Sequence, residues 1–419
     1  WKASGRKIVY EQVIPGIGSS PIDTESAYKY WSERDPLNDP LCDTIGADEF
    51  GAYSKEKFDA WTEALQRLRR EGRFDDKQFM AFYNHGCYYG EYAVAFADML
   101  AKQGDLIGLE TYLYEVPSPY ARSYFEANIR DNLEHWAKLA PGIQKATLEV
   151  LGYFCMPTTG NWGSHSRVDF KVFTDKMFKL MANDPVFWEL AGVSDYASRK
   201  ADEEIVRWVG QLYRHYCIEG KTDLLSKEYG FLYELNHIRN VDFADGLDHW
   251  DVQAAEPGSV DARHIDGLQN LFVTSAAMNA DYGLVMTRSR VGPNRATQPL
   301  RDLRPGRAYL LTVYTGDYGD MTNGISEKKE LAVTIEVTNT DLIPEKSFQL
   351  INPSIRSDQR RSFHYRNHQY YHGYHHLVFR ARETQADLVL SDWVSPEVAG
   401  GPTDQQLVFG LLELRPYFE

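Results

Sequence analysis

The first half of the chain alternates short apolar runs with longer stretches of helical periodicity, and this alternation limits the available folds more than any other feature. The spacing from strand to strand is roughly 27–41 residues, the length of a strand-plus-helix unit. The strand-like runs cover residues 7–14, 43–49, 78–84, 105–112, 147–155 and 186–194. An alternation of this kind predicts a parallel sheet covered by helices.

Helical patterns lie between several of these runs. They cover residues 55–71, 90–103, 120–140, 168–182 and 201–217. Glycines stand where four helical segments should stop: Gly72, Gly104, Gly142 and Gly220. Glycine is the usual left-handed residue just beyond the end of a helix.

The pattern changes near residue 240. The strand-like runs that follow are separated by turns and cover residues 308–314, 330–338, 375–383, 386–390 and 406–414. Several short runs without helices between them predict an antiparallel β-sandwich. We therefore predict two domains, 1–236 and 237–419, with an α/β plus all-β fold class.

Six strand-plus-helix units fit into the first half, whereas a closed (β/α)8 barrel has eight. The sequence begins with Trp1 rather than Met, and the first strand follows almost at once. We therefore expect a (β/α)8-type barrel whose N-terminal units lie upstream, with the strands seen here as its third to eighth.

Two of the runs end on acids, and these acids are the candidate catalytic groups. One run reads Thr44–Phe50 and contains Asp48 and Glu49; the other reads Leu106–Tyr112 and contains Glu110. Parallel α/β barrels present catalytic groups at the carboxyl ends of their strands. Adjacent strand residues point to opposite faces, so one acid of Asp48 and Glu49 would face the site. Helix capping or pairing with an arginine is the alternative role for each acid.

The candidate substrate-binding residues also stand at strand ends or in the loops that follow. Asparagine and histidine hydrogen-bond sugar hydroxyls, and aromatic rings stack on the C–H faces of sugars. These candidates are Glu11, Asn84, His85, Tyr112, Trp162 and Asp195. The segment around Asn84 also reads as a turn, because asparagine and glycine favour turns.

Charge and motif content exclude several classes of function. The net charge of -15 argues against a nucleic-acid partner, which would require a basic face. No stretch of about 18 apolar residues is present, so no membrane-spanning helix is expected. The four cysteines lack metal-like spacing, and no nucleotide-binding, HExxH or GxSxG motif occurs. The histidines of 364–376 alternate with tyrosines, which favours a polar loop and strand over a metal site. We expect no metal and no cofactor in the site.

Four segments resemble known carbohydrate-active proteins. The strand ends at 46–50 and 109–112 resemble those of glycoside-hydrolase barrels. Residues 240–250, NVDFADGLDHW, resemble the opening strand of jelly-roll carbohydrate-binding modules, with Asp242 and Ala244 in place of the usual residues. Residues 303–309, LRPGRAY, resemble a turn and strand of the same sandwiches. The resemblance implies a jelly roll, a carbohydrate substrate and a secreted or cell-envelope location. It is also compatible with a structural calcium in the β-sandwich.

These observations together predict a glycoside hydrolase that acts on a poly- or oligosaccharide through a carboxylate pair. One alternative is a non-catalytic glycan-binding or cell-surface protein with a degenerate barrel. Another is a carbohydrate lyase, which would need an added Tyr or His base. Carboxyls about 5–10 Å apart across an open cleft would favour hydrolysis, whereas carboxyls on opposite faces of the sheet would favour the scaffold.

Overall fold

The computed structural model describes residues 2–84, 90–153, 165–196, 201–265, 268, 281–323, 328–355 and 369–419. The chain forms two compact units. The first comprises Trp1–Leu113, Arg122–Gly152 and Leu180–Tyr196, and the second comprises Tyr114–Ala121, Tyr153–Lys179 and Ala197–Glu419. The division into domains 1–236 and 237–419 stays a prediction.

A parallel sheet of six strands forms the centre of the first unit, in the order β1-β2-β3-β4-β5-β6. The strands are β1 (Val9–Val13), β2 (Thr44–Phe50), β3 (Gln78–Tyr83), β4 (Leu106–Thr111), β5 (Thr147–Gly152) and β6 (Gly192–Tyr196). Five coincide closely with the predicted runs. The sixth starts later than predicted, because Pro185–Phe187 forms a 3-10 turn that Asp184 caps by accepting from the Val186 N–H.

The helices agree with most of the sequence pattern. They are α1 (Thr24–Glu33), α2 (Asp35–Asn38), α3 (Lys55–Arg70), α4 (Glu91–Lys102), α5 (Ser118–Phe125), α6 (Asp131–Leu139), α7 (Phe170–Asn183), α8 (Glu203–Leu212) and α9 (Leu225–Glu228). The predicted helix over 120–140 is α5 and α6 joined by a π-helical turn, Glu126–Arg130. The pattern missed α1, whose start is capped by Asp23 accepting from the Ser26 N–H.

Helices of the first unit cover one face of the sheet. Sequential strand order and right-handed crossovers place the connecting helices on the same side. Four tryptophan and phenylalanine side chains from four helices meet the aromatic residues of this face. Trp31 of α1 packs on Phe79, Trp61 of α3 and Phe96 of α4 pack on Phe50, and Trp136 of α6 packs on Tyr83.

The prediction of a (β/α)8 barrel is wrong. Among the described residues β1 pairs with β2 alone and β6 pairs with β5 alone, so the six strands form an open, half-barrel-like sheet. A barrel requires a closed circuit of strand pairing with a consistent stagger. The strand-plus-helix period specifies neighbouring parallel strands, and it is the same in an open sheet and in a closed one.

An antiparallel β-sandwich occupies much of the second unit. One sheet has the order β12-β16-β10-β7, and the other β13-β15-β11-β17-β9-β8, with β14 also on β15. The strands are β7 (Asp251–Gln253), β8 (Val260–His264), β9 (Tyr282–Thr287), β10 (Arg295–Leu300), β11 (Ala308–Asp317), β12 (Thr334–Val337), β13 (Thr340–Leu342), β14 (Phe348–Ile355), β15 (Gln369–Ala381), β16 (Ala386–Ser391) and β17 (Gln406–Pro416). Leu388 and Leu390 of one sheet share a core with Leu311 and Phe409 of the other.

The segment predicted as the opening strand of the sandwich is instead a compact turn. The Asn240 side chain donates to the carbonyls of Gly246 and Asp248, and Phe243 stacks on Trp250 with ring centroids 5.2 Å apart. Strand β7 starts only at Asp251. No helix of the described ranges combines the length and apolar character needed to cross a bilayer.

Candidate active site

Strand β2 ends in a bulge that separates the two adjacent acids. The pairing of β2 with β3 shifts register between Ala47 and Phe50, and Glu49 has a left-handed backbone with φ of 77°. An extra residue in a strand re-aims the side chains around it. Phe50 therefore faces the helices and is buried, Glu49 is exposed, and Asp48 is half-buried on the opposite face of the sheet.

Two glycines make room for the side chains of this opposite face. A Cβ on Gly108 would lie 2.5 Å from Cδ1 of Phe82, and a Cβ on Gly46 would lie 3.1 Å from Cε2 of the same ring. The Phe82 ring therefore lies over the backbones of β2 and β4. Asp48 and Glu110 follow these glycines by two residues, so they point to the same face, one step nearer the strand ends.

Asp48 and Glu110 meet through a hydrogen bond between their side chains, although β3 lies between their strands. Burial, and then the charge of Asp48, raise the pKa of Glu110 to about 8. Burial also raises the pKa of Asp48, while the Glu49 N–H and the hydrogen bond with Glu110 oppose that shift. The pair therefore retains one proton at neutral pH, held mainly by Glu110.

A tyrosine pair adjoins Glu110. The Tyr112 hydroxyl donates to Oε1 of Glu110 over 2.9 Å, and the Tyr112 ring stacks on Tyr196 with centroids 5.3 Å apart. Tyr196 is the last residue of β6, so β4 and β6 contribute one ring each. Burial, followed by the charge of Glu110, raises the pKa of Tyr112, which remains a protonated donor.

Glu11 of β1 adds a third carboxyl to the same face. It is in register with Gly46, and its pKa is raised by burial and by the charge of Asp48. Its side chain is exposed. We call the surface formed by Glu11, Asp48 and Glu110 the acidic face. These residues come from three of the six strands and point away from the helices.

The remaining sequence candidates are distributed differently. Asn84 follows β3, where its Nδ2 would lie 3.3 Å from a Cβ on Gly51. Asp195 alternates with Tyr196 on β6 and is in register with Leu151, so it points to the helix-covered face. Glu49 is turned to solvent. His85 and Trp162 lie outside the described residues.

The arrangement supplies a proton donor beside a carboxylate. One protonated and one ionised carboxyl are the pair that general acid catalysis with a carboxylate partner requires. Both carboxyls are on one face of the sheet, not on the opposite faces that would favour the scaffold, but they are in direct hydrogen-bond contact and not separated across a cleft as hydrolysis would favour. In the described part of the chain, no group of three or more His, Cys, Asp or Glu side chains has an arrangement that would hold a metal ion. The structural calcium of the sandwich stays a prediction.

Sequence reasoning missed two residues that shape this region. Phe82 lies between the glycines of β2 and β4, and its signal was a phenylalanine near the end of a run whose neighbouring strands carry glycines. Glu149 is buried in the middle of β5, and its side chain is on the helix-covered face and not on the acidic face. Its signal was a single acid within the apolar run TLEVLG.

Comparisons with known proteins leave the family open. No protein-family model matches the chain, and no curated protein matches it. Among solved structures, the enzymatically active domain of bacteriophage CBA120 tailspike protein 4 is 10% identical with a TM-score of 0.26. That match covers 43% of this chain, but this chain spans only 21% of the tailspike chain.

Two other solved structures carry carbohydrate ligands in their names. TmCBM61 in complex with β-1,4-galactotriose is 11% identical with a TM-score of 0.23, over 43% of this chain and 97% of that one. The isomalto-dextranase of Arthrobacter globiformis T6 with panose is 9% identical with a TM-score of 0.19, over 95% and 96% of the two chains. Similarities this low carry no argument about fold or function.

Proposed function

We propose that the protein hydrolyses glycosidic bonds of a poly- or oligosaccharide at the acidic face. The observation that supports this proposal most directly is the Asp48–Glu110 pair, which holds one proton between two carboxyls. Glycoside hydrolysis requires one carboxylic acid to protonate the leaving oxygen and one carboxylate as nucleophile or base.

Glu110 has the properties of the proton donor. Its pKa of about 8 keeps it protonated at neutral pH. Tyr112 orients the carboxyl by donating to Oε1. Asp48 is the carboxylate partner. In the catalytic step the two carboxyls separate to admit the sugar, and the leaving glycosidic oxygen takes the Glu110 proton as its bond to the anomeric carbon breaks. Asp48 acts on that carbon as the nucleophile, to be displaced later by water, or as the base that deprotonates the attacking water.

The assignment of a carbohydrate substrate draws on two further features. The stacked rings of Tyr112 and Tyr196 stand beside the acid, and tyrosine faces suit the C–H faces of sugars. The sandwich of the second unit carries the turn and strand of 303–309, where Gly306 has φ of 82° and β11 follows at Ala308. A secreted or cell-envelope location forms part of the same proposal.

A lyase mechanism is less well supported. Such an enzyme would use a tyrosinate or a neutral histidine as its base. Burial and the Glu110 charge raise the pKa of Tyr112, which opposes formation of a tyrosinate.

The test is a screen of neutral and charged polysaccharides and aryl glycosides with the full chain, followed by variants at three acids. We expect Glu110→Gln and Asp48→Asn each to lower kcat by about 10²–10⁴-fold, the usual contribution of an acid or base group. Glu49→Gln serves as the matched control, because Glu49 is adjacent to Asp48 but turned to solvent. We expect it to retain activity.

The pH dependence provides an independent check. Since the active form requires a protonated Glu110, activity should fall as pH rises through about 8. Normal turnover by Glu110→Gln would refute the assignment. Glycan binding without turnover, in wild type and variants alike, would instead identify the non-catalytic scaffold.

A further inference from the structure

Glu149 is an acid buried in the core of the first unit. Its side chain is on the helix-covered face of the sheet, in register with Leu109 of β4, and is 1% exposed. The Thr111 hydroxyl donates to Oε1 of Glu149. Oε2 has no hydrogen-bond partner among the described residues. Burial raises the pKa of Glu149 to about 8, although the Thr111 hydrogen bond lowers it, so the carboxyl is uncharged at neutral pH.

An acid at this position costs stability. A buried polar oxygen without a partner loses its hydration and receives nothing in return, whereas an apolar side chain of similar size would fill the space without that loss. Packing therefore gives no reason for Glu149. Its role should therefore depend on its one described polar contact, the hydrogen bond with Thr111.

Thr111 is placed between two residues of the proposed site. It is the last residue of β4, and it follows Glu110 and precedes Tyr112. Because side chains alternate along a strand, Thr111 points to the helices while Glu110 and Tyr112 point to the acidic face. Any rotation of this strand end about its axis would move all three side chains together.

The end of β4 is joined to β5 by backbone and side-chain contacts. The ladder between the two strands continues to the pair Thr111–Leu151, at the last residue of β4. The hydrogen bond from Thr111 to Glu149 adds a side-chain link between β4 and β5 at this strand end.

We propose that Glu149, acting through Thr111, is a positioning residue that holds the end of β4 so that Glu110 and Tyr112 keep their orientation on the acidic face. The proposal rests on the proposed function of Glu110. Glu149 does not itself contact the acidic face, since its side chain is on the other side of the sheet.

The test compares variants that remove the link with variants that keep it. Thr111→Val and Glu149→Leu remove it, whereas Thr111→Ser keeps the hydroxyl and Glu149→Gln keeps the accepting oxygen. Thr147→Val is the matched control, because Thr147 is another buried threonine of the same unit that donates to a carbonyl, that of Ile143. Two readouts are used: kcat and KM on the substrate found in the screen, and the Glu110 titration followed by carboxyl ¹³C NMR.

We expect Thr111→Val and Glu149→Leu to lower kcat about 10- to 100-fold with little change in KM, the effect of a misplaced catalytic group. Their Glu110 titration midpoint should move from about 8. Thr111→Ser, Glu149→Gln and Thr147→Val should stay within about threefold of wild-type kcat, on the same scale. The thermal midpoint of Glu149→Leu should equal or exceed that of wild type.

Wild-type kcat and an unmoved Glu110 titration in Thr111→Val would overturn this inference, even where Glu149→Leu fails to fold. Failure of the proposed function is recognised separately, because Glu110→Gln would then keep full turnover. The NMR titration needs no substrate, so it decides the positioning role even where the screen finds none.

Discussion

At the residue scale, the proposed chemistry depends on how two neighbours tune Glu110. The Asp48 charge raises the pKa of Glu110, and the Tyr112 hydroxyl lowers it by donating to Oε1. Both effects act on a carboxyl that is largely removed from water, where charges and hydrogen bonds have larger effects than in solution.

Substitutions of Asp48 and of Tyr112 should therefore shift the pKa of Glu110 in opposite directions. Asp48→Asn removes the charge, so the Glu110 pKa should fall below about 8, whereas Tyr112→Phe removes the donor, so the pKa should rise above that value. Carboxyl ¹³C NMR titration measures both midpoints. Glu49→Gln is the control, since the Glu49 charge is the smallest of the causes that raise this pKa. Shifts of the same sign in the two variants would contradict this account.

Two acids that are adjacent in the sequence also have different orientations in the fold. Asp48 and Glu49 are consecutive acids, and the sequence predicted that one of them faces the site without selecting which. The left-handed backbone of Glu49 and the bulge make Asp48 the inward residue. Glu11 and Tyr112 lie on the same face as Asp48, whereas Asp195, from an equally plausible strand end, points the other way.

At the element scale, the bulge at the end of β2 carries a backbone cost. A non-glycine residue with φ of 77° is strained, and a β-branched residue more so. Glu49→Val should lower the free energy of unfolding by about 1 kcal/mol or more, whereas Glu49→Gly should not lower it. Urea unfolding of both variants checks this. If Glu49→Val proved as stable as Glu49→Gly, the strain at the bulge would be negligible.

A buried ion network joins three elements of the second unit. Lys171 at the start of α7 is fully buried and lies 3.2 Å from Asp169 and 3.0 Å from Glu204 of α8. Arg415 of β17 lies 3.1 Å from Glu204 and 3.5 Å from Glu413. Removal of one member leaves the charges of the others buried without their partner.

Lys171→Met should therefore lower the free energy of unfolding by about 3–5 kcal/mol, the cost of breaking a buried ion pair from one side. Lys55→Met is the matched control, because Lys55 pairs with Asp59 on the exposed surface of α3 and should have little effect. Guanidinium unfolding monitored by circular dichroism compares the two variants. Equal effects would show that the buried network adds nothing beyond a surface pair.

At the scale of the whole molecule, buried acids should make stability depend on pH. Glu110 and Glu149 have pKa values near 8 and Glu413 near 7, all raised by burial from 4.5. The folded chain keeps these protons at pH values where the unfolded chain has lost them. For each such proton, the free energy of unfolding falls by about 1.4 kcal/mol for every unit by which the pH rises.

The pH range over which stability should fall also depends on the buried histidines, whose pKa values are lowered. Burial lowers the pKa values of His165, His372, His375 and His376 to about 3–4, so they add stability as pH rises towards their ordinary value of 6.5. Above about pH 7 these histidines are neutral in both states, and the acids alone remain. The thermal midpoint should fall between pH 7 and 8, and Glu149→Gln should reduce the slope. A midpoint that is constant or rises over that interval would contradict the account.

The sequence by itself determined the parallel sheet, the helix-covered face, the change to antiparallel strands after residue 240, and the placement of acids at the ends of β2 and β4. These follow from local periodicity, because the spacing of apolar residues reports strand, helix and burial directly. Even β6 was displaced by only a few residues, where Pro185 and the Asp184 cap turn part of the run into a 3-10 turn.

Only the tertiary structure decided that the sheet is open, that Asp48 rather than Glu49 faces Glu110, and that these two carboxyls meet across β3. Closure depends on which edges pair, and the meeting of the acids depends on a bulge in β2 and on two glycines that admit Phe82. Such contacts join residues on different strands that are far apart in the sequence. Periodicity along one segment carries no record of them, because they arise from the packing of one strand against another.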